Sequence, residues 1–145
     1  MSRHTRPQPG FAAHPVERVD KPWGHEVIVA VAEGQYAGKT LHVDGGESLS
    51  LQYHRTKHET LAVLTGRIAL DVATGGRERD LEPERHLERV GVGPGESYTV
   101  PPGLLHRVTA LEDAVLMEVS TAEPGWREDA VRPEDRYGRG GTAAP

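Results

Sequence analysis

The sequence predicts an all-β fold, an antiparallel barrel or jelly roll, from three observations. Apolar and polar residues alternate over short runs, the period-two signature of strands with one buried face. Glycine and proline supply 28 of the 145 residues, well above the roughly 12% of average usage, so turns are frequent. No stretch carries a convincing helical period, which argues against a parallel sheet with crossover helices.

The elements follow in chain order. Residues 1 to 15, rich in Pro, Arg and small side chains, are expected to be a poorly ordered tail. "VDKPWG" (19 to 24) reads as a strand end and a turn, and "HEVIVAV" as the next strand. "GKTLHV" (38 to 43) alternates and then turns at "DGGES". "SLSLQYH" places Leu49, Leu51 and Tyr53 on one face and Ser48, Ser50, Gln52 and His54 on the other. "ETLAVLTGRIALDVAT" reads as two strands joined at Thr65 and Gly66. "GGRERDLEPERH" (75 to 86) is a charged hairpin or loop. "LERVGV", "YTV", "LLHRVTAL" and "AVLMEVS" are the remaining strands, separated by "GPGES" and "PPG". "REDAVRPEDRY" (127 to 137) has room for one helical turn, limited by Pro133. The expected organisation is a tail over 1–15, a barrel over 16–126 and a C-terminal docking segment over 127–145.

Composition narrows the function. The length suits one domain. With 36% apolar and only 5% aromatic residues, the core must be mostly Val, Leu and Ala. The net charge of -5, with 14 Arg but 3 Lys on the basic side, speaks against nucleic acid as the main partner. There is no cysteine, hence no disulfide framework and no thiolate chemistry. The N-terminus lacks an apolar signal core, and "VIVAVA" (27 to 32) is too short to span a bilayer. No membrane partner and a cytoplasmic location are therefore expected.

Four side chains have the character of metal ligands. Gln52 and His54 share a strand face, which in a barrel can point inward. Glu59 follows a short bend, and His106 follows a Pro-Pro-Gly turn. The spacing is specific. Gly46, five residues, Gln52, one residue, His54, four residues, Glu59, six residues and Gly66 form one segment. Gly95, five residues, Pro101-Pro102-Gly103, two residues and His106 form the other. These segments resemble the two cupin motifs, with Gln in place of the usual first His. The resemblance implies a single cupin, a double-stranded β-helix or jelly-roll barrel. A cupin without metal, its Gln52 and Glu59 hydrogen-bonded in a wet cavity, is the alternative.

The set Gln, His, Glu and His is also similar to the zinc ligands of phosphomannose isomerases. Such mixed nitrogen and oxygen donors suit a divalent cation, Zn²⁺ first, and also Mn²⁺, Fe²⁺, Co²⁺ or Ni²⁺. "KPWG", "LSLQYH", "VPPGLLHR" and "VRPEDRYGR" occur in the order found in the C-terminal cupin of bifunctional mannose-6-phosphate isomerase / mannose-1-phosphate guanylyltransferases. Free-standing phosphomannose isomerase-like small cupins are more similar still, because the guanylyltransferase half is absent. The resemblance covers about residues 19 to 139. It implies functional roles for Glu118, Arg132 and Arg139: a proton-transfer group and two clamps for phosphate or carboxylate. The family's His-His-Arg-Ala-Glu-His run is here Arg55-Thr56-Lys57-His58-Glu59-Thr60, so Lys57 replaces an Arg and Thr60 a His.

The implied activity is metal-dependent aldose–ketose isomerisation of a sugar phosphate like mannose 6-phosphate. Two alternatives stand beside it. One is a zinc or iron cupin of specialised biosynthesis, performing rearrangement, amino-acid coupling or oxygenation. The other is a non-catalytic small-molecule or sugar-binding cupin. A small anionic or hydroxylated substrate is expected, with homodimerisation through the N-terminal strand. Plainer readings make Arg132 and Arg139 surface-paired residues of a docking tail and Glu118 a solvated strand residue. They make Trp23 a barrel plug, Lys21 an ordinary surface charge, and His25, His42 and His86 unremarkable.

Overall fold

The computed structural model describes residues 10, 11, 13–74 and 86–134. The described chain is all-β apart from one 3₁₀ turn, Trp126–Glu128. Eleven strands run in order: β1 Glu17–Lys21, β2 Gly24–Ala32, β3 Tyr36–Val43, β4 Leu51–His54, β5 Glu59–Thr65, β6 Ile68–Ala73, β7 Leu87–Val92, β8 Ser97–Val100, β9 His106–Ala110, β10 Ala114–Thr121 and β11 Ala130–Glu134. They form two antiparallel sheets, one ordered β1-β2-β3-β10-β5-β8 and the other β11-β4-β9-β6-β7. The two sheets face each other as the walls of a jelly roll. The expected loop at residues 75 to 85, the tail at 1 to 9 and everything after 134, Arg139 included, lie outside the described residues.

The alternation expected from sequence is what closes the roll. Leu41, Val43, Leu61, Val63, Leu116 and Val100 point inward from the six-stranded sheet, and Ile68, Leu70, Val92 and Val108 from the other. Each buried Leu, Val or Ile stabilises the fold by roughly 1.5–3 kcal/mol of transfer free energy. The inward rows change character along their length. Val43 and Leu41 lead to Lys39 on β3, Val63 and Leu61 to Glu59 on β5, and Ala114 and Leu116 to Glu118 on β10. One half of the interior is therefore an apolar plug and the other half a charged cavity.

Two glycines are fixed by close approach. Gly66 joins β5 to β6 at φ 79°, where a Cβ would stand 2.2 Å from the Asp113 carbonyl oxygen. Gly24 opens β2 at φ 147°, where a Cβ would stand 2.0 Å from the His42 carbonyl oxygen. No L side chain fits either place without moving backbone.

The C-terminal segment differs from the single helical turn considered above. After the 3₁₀ turn the chain extends, and β11 pairs antiparallel with β4, Ala130 opposite His54 and Val131 opposite Tyr53. Pro133 is compatible with this because β11 is an edge strand, where one missing N–H breaks no ladder.

Candidate metal centre and its cavity

A cavity of about 310 Å³ lies between the sheets, lined by residues of β1 to β4, β10, the 3₁₀ turn and β11. His54 ends β4, Glu59 begins β5 and His106 begins β9, so each sits where a strand meets a loop at the same end of the roll. His54 Nε2 stands 3.1 Å and His106 Nε2 3.5 Å from Glu59 Oε1. All three residues are buried, and their ligand atoms lie within 4.8 Å of one another. Donors bonded at about 2.1 Å to one tetrahedral cation are about 3.4 Å apart, so the three fit a single divalent ion. His106 Nδ1 lies 2.9 Å from the Leu104 carbonyl oxygen. As the donor in that bond it leaves Nε2 with a free lone pair, the tautomer a metal requires. His54 Nδ1 is buried with no hydrogen-bond partner among the described residues.

Gln52 lines the cavity and is the cross-strand partner of His106. Its side-chain oxygen accepts a hydrogen bond from Ser50 Oγ at 3.3 Å, and Arg132 Nε donates to Ser50 Oγ at 3.0 Å. A polar chain thus links the candidate amide ligand to a buried guanidinium. Arg132 is only 3% exposed, which places it in the cavity wall and not among surface ion pairs.

The charges form one connected series. Lys21 Nζ stands 3.8 Å from Glu26 Oε1, and Lys39 Nζ 2.9 Å from Glu26 Oε2. Lys39 and Lys57 each stand 3.6 Å from Glu118 Oε2. Lys57 reaches on to Glu59 Oε2 at 3.1 Å. All three lysines of the sequence therefore line this one cavity. The reading of Lys21 as an ordinary surface charge is corrected: its side chain is 9% exposed and packed on the cavity wall. Glu118 is likewise buried rather than solvated.

Burial sets the protonation of these groups. For Glu59 burial is the largest influence and pushes the carboxyl up, but Lys57 and hydrogen bonds from His106 and His54 outweigh it, so it lies well below the usual range. Burial and the Glu59 charge raise Glu118, against the opposing pull of Lys39 and Lys57. Burial lowers Lys39, but Glu118 and Glu26 more than compensate and keep the ammonium charged. Two carboxyl groups in one cavity are thereby pushed in opposite directions, the pattern of sites that separate a ligand from a proton carrier.

The loop between β4 and β5 is held from outside the motifs. Asp129 Oδ2 accepts hydrogen bonds from the backbone N–H groups of Thr56 at 3.0 Å and Lys57 at 2.7 Å. Thr60, where the resemblance expects His, points away from the cavity, and its hydroxyl meets that of Thr99 at 2.9 Å. That change leaves the cavity lining intact.

Three buried residues escaped the sequence reading: Lys39 and Glu26 in the cavity lining, and Tyr98 on β8. Lys39 shares strand parity with Leu41 and Val43, and Glu26 with Ile28, so an inward charge was legible in the alternation. Among the described residues the Tyr98 hydroxyl is buried without a hydrogen-bond partner, and burial together with Glu59 and Glu118 raises it well above its ordinary value. His25 and His42 stack at 4.3 Å between ring centroids, outside the cavity.

No family model matches the chain. A curated relative, mannose-1-phosphate guanylyltransferase ManC of Salmonella typhimurium, is 31% identical over 133 residues, covering 87% of this chain and 24% of its own length. The chain thus spans about a quarter of that relative. Among solved structures, KdgF from Halomonas sp. superposes with a TM-score of 0.57 at 17% identity, over 75% of this chain and 86% of KdgF. The capsular polysaccharide assembling protein CapF from Staphylococcus aureus gives 0.63 at 14% identity, over 83% and 34% of the two chains. A variant oxalate decarboxylase of B. subtilis gives 0.64 at 18%, over 81% and 30%. These structural likenesses establish the cupin jelly-roll fold, and in sequence the chain carries both cupin motifs and is similar to part of the ManC relative.

Proposed function

We propose that this cupin is a metal-dependent isomerase acting on a small hydroxylated anion, a sugar phosphate by preference. The observation that carries the reading is the placement of Glu118. It is a buried carboxyl, joined through Lys57 to the carboxylate of the candidate metal centre at 3.6 and 3.1 Å. His54, Glu59 and His106, with Gln52 beside them, would hold the cation. A divalent cation bound there would polarise a substrate carbonyl and stabilise negative charge on oxygen. Glu118 would take the proton from the hydroxyl-bearing carbon next to the carbonyl. The freed electron pair forms the carbon–carbon double bond of an enediolate as the carbonyl π pair moves onto its oxygen; the same carboxyl would then return its proton to the former carbonyl carbon, while the proton of the substrate hydroxyl passes to the other oxygen, leaving a carbonyl on the neighbouring carbon. A carboxyl raised toward neutrality suits both halves of that transfer. Arg132, buried and held by Ser50, would engage the anionic group, since a guanidinium matches phosphate or carboxylate with paired donors. Arg139, outside the described residues, would be the second clamp. Lys57 would keep the two carboxyl groups apart in protonation.

The test is NMR of purified, metal-assayed protein with aldose and ketose phosphates. Interconversion of mannose 6-phosphate or a related sugar phosphate, dependent on stoichiometric zinc or another divalent metal, supports the reading. Stoichiometric iron with oxygen consumption and no interconversion replaces it with an oxygenase.

A further inference from the structure

We propose that Asp129 is a positioning residue of the metal centre, and that through it the filling of the centre and the closing of the cavity mouth are one equilibrium. The proposal rests on the metal centre described above and not on the isomerisation. His54 and Glu59 are joined by residues 55–58, which belong to no strand. The path of that loop decides whether the imidazole and the carboxylate meet. Its two ends are tied by other elements. The His54 carbonyl accepts from the Gly103 N–H at 2.7 Å. His58 donates its N–H to Thr121 Oγ1 at 3.0 Å and accepts from the Thr121 N–H at 2.9 Å. Between these ends, the successive N–H groups of Thr56 and Lys57 both donate to Asp129 Oδ2, at 3.0 and 2.7 Å. A buried carboxylate gripping two adjacent N–H groups fixes the turn of the chain there. It thereby aims Lys57, whose Nζ reaches Glu59 Oε2 at 3.1 Å and Glu118 Oε2 at 3.6 Å.

Asp129 holds the loop from the cavity mouth. Glu17 of β1 and Glu128 both line the cavity and both are exposed, so the cavity opens between the β1 edge and the 3₁₀ turn. Trp126, Arg127 and Glu128 line it just before Asp129. Just after, Ala130 lies opposite His54, and Arg132 Nε donates to Ser50 Oγ. One short segment therefore touches the mouth, the ligand loop and the ligand strand in turn. Its own hold on the barrel is light. β11 is an edge strand that pairs with β4 at three positions among the described residues, with a register shift between Val131 and Glu134. Side chains do much of the rest, Trp126 Nε1 donating to Glu33 Oε2 at 3.2 Å. Such a segment opens locally at a lower free energy than the barrel walls. A cation shared by His54 and Glu59 favours the loop path that Asp129 fixes, and so favours the docked segment. By linkage the docked segment favours the cation by the same factor.

The experiment is hydrogen–deuterium exchange by mass spectrometry on the full chain, metal-free and with one equivalent of zinc, alongside zinc affinity from chelator competition. Zinc is expected to slow exchange by about tenfold or more at residues 126–132 as well as at 55–58. Asp129→Ala is expected to weaken zinc binding by about 10- to 100-fold and to erase the slowing at 126–132. Asp129→Asn, which keeps an acceptor oxygen in place, is expected to recover most of that affinity. Slowing confined to the ligands and their loop overturns the proposal. So does a zinc affinity in Asp129→Ala within about threefold of wild type, because the carboxylate then only braces the fold. Should Asp129→Ala fail to fold, the exchange pattern of the wild type decides alone. A chain that binds no zinc overturns the proposal together with the metal centre. Coupling without sugar-phosphate turnover upholds the proposal and removes the isomerase reading.

Discussion

Gln52 and His106 face each other across the β4–β9 pair, the single register position that joins those two strands. That pairing brings a side chain of the first motif against one of the second, and it puts the candidate metal centre on the seam of the five-stranded sheet.

Removing an imidazole from that seam removes a donor nothing else in the cavity replaces. His54→Ala and His106→Ala should each lower metal affinity by at least about 100-fold. Elemental analysis after dialysis reads this directly. Stoichiometric metal in both variants would contradict the assignment of the centre.

Glu118 is not one of the clustered His54, Glu59 and His106 donors, and its role is separable from metal retention. Glu118→Gln keeps the shape of the side chain but cannot accept a proton. Isomerisation should fall by about 100-fold or more while bound metal stays stoichiometric. Equal turnover in the variant would move proton transfer to another group.

Asp129 ties the 3₁₀ turn's exit to the β4–β5 loop through two backbone N–H groups. Asp129→Ala leaves both donors without their acceptor and should cost about 1–3 kcal/mol in urea unfolding. An unchanged midpoint would mean that the loop is held by packing alone.

The outer triad gives the chain a pH dependence of known sign. The hydrogen bond from Arg89 is the largest influence on Asp71, and with Arg107 it outweighs burial and lowers the carboxyl. A folded-state value below the unfolded one, near 3.9, stabilises the fold above about pH 5 and is lost as pH falls through the lowered value. Asp71→Asn should therefore be less stable than wild type near neutrality, and the gap should shrink in acid. Thermal unfolding at pH 7 and at pH 3 measures both; a gap that widens in acid would reverse the sign.

Gly66→Ala should destabilise by about 1–3 kcal/mol or more, because the new Cβ meets the Asp113 carbonyl in a left-handed backbone. A variant as stable as wild type in denaturant unfolding would show that the β5–β6 turn can relax.

Strand identity was legible wherever alternation ran unbroken. "GKTLHV", "ETLAVLT" and "AVLMEVS" each became the strand expected. The four ligand candidates were legible because motif spacing encodes strand ends and turns, which are local. The segment after Trp126 was not: "AVRPE" has no strong strand pattern of its own and becomes a strand by pairing with β4. Thr60, next to inward Glu59, is outward by the same alternation; its pairing with Thr99 across β8 is what only the sheet decides.

What the amino-acid order determined by itself is therefore periodic and local: an all-β chain, where its strands turn, and which four residues have the spacing of a metal site. What the tertiary structure decided is convergence. Lys21, Lys39 and Lys57 are ordinary charges along the chain and a single buried series in space. Strand pairing closes segments distant in sequence around one cavity of low dielectric, where each charge sets the protonation of the next.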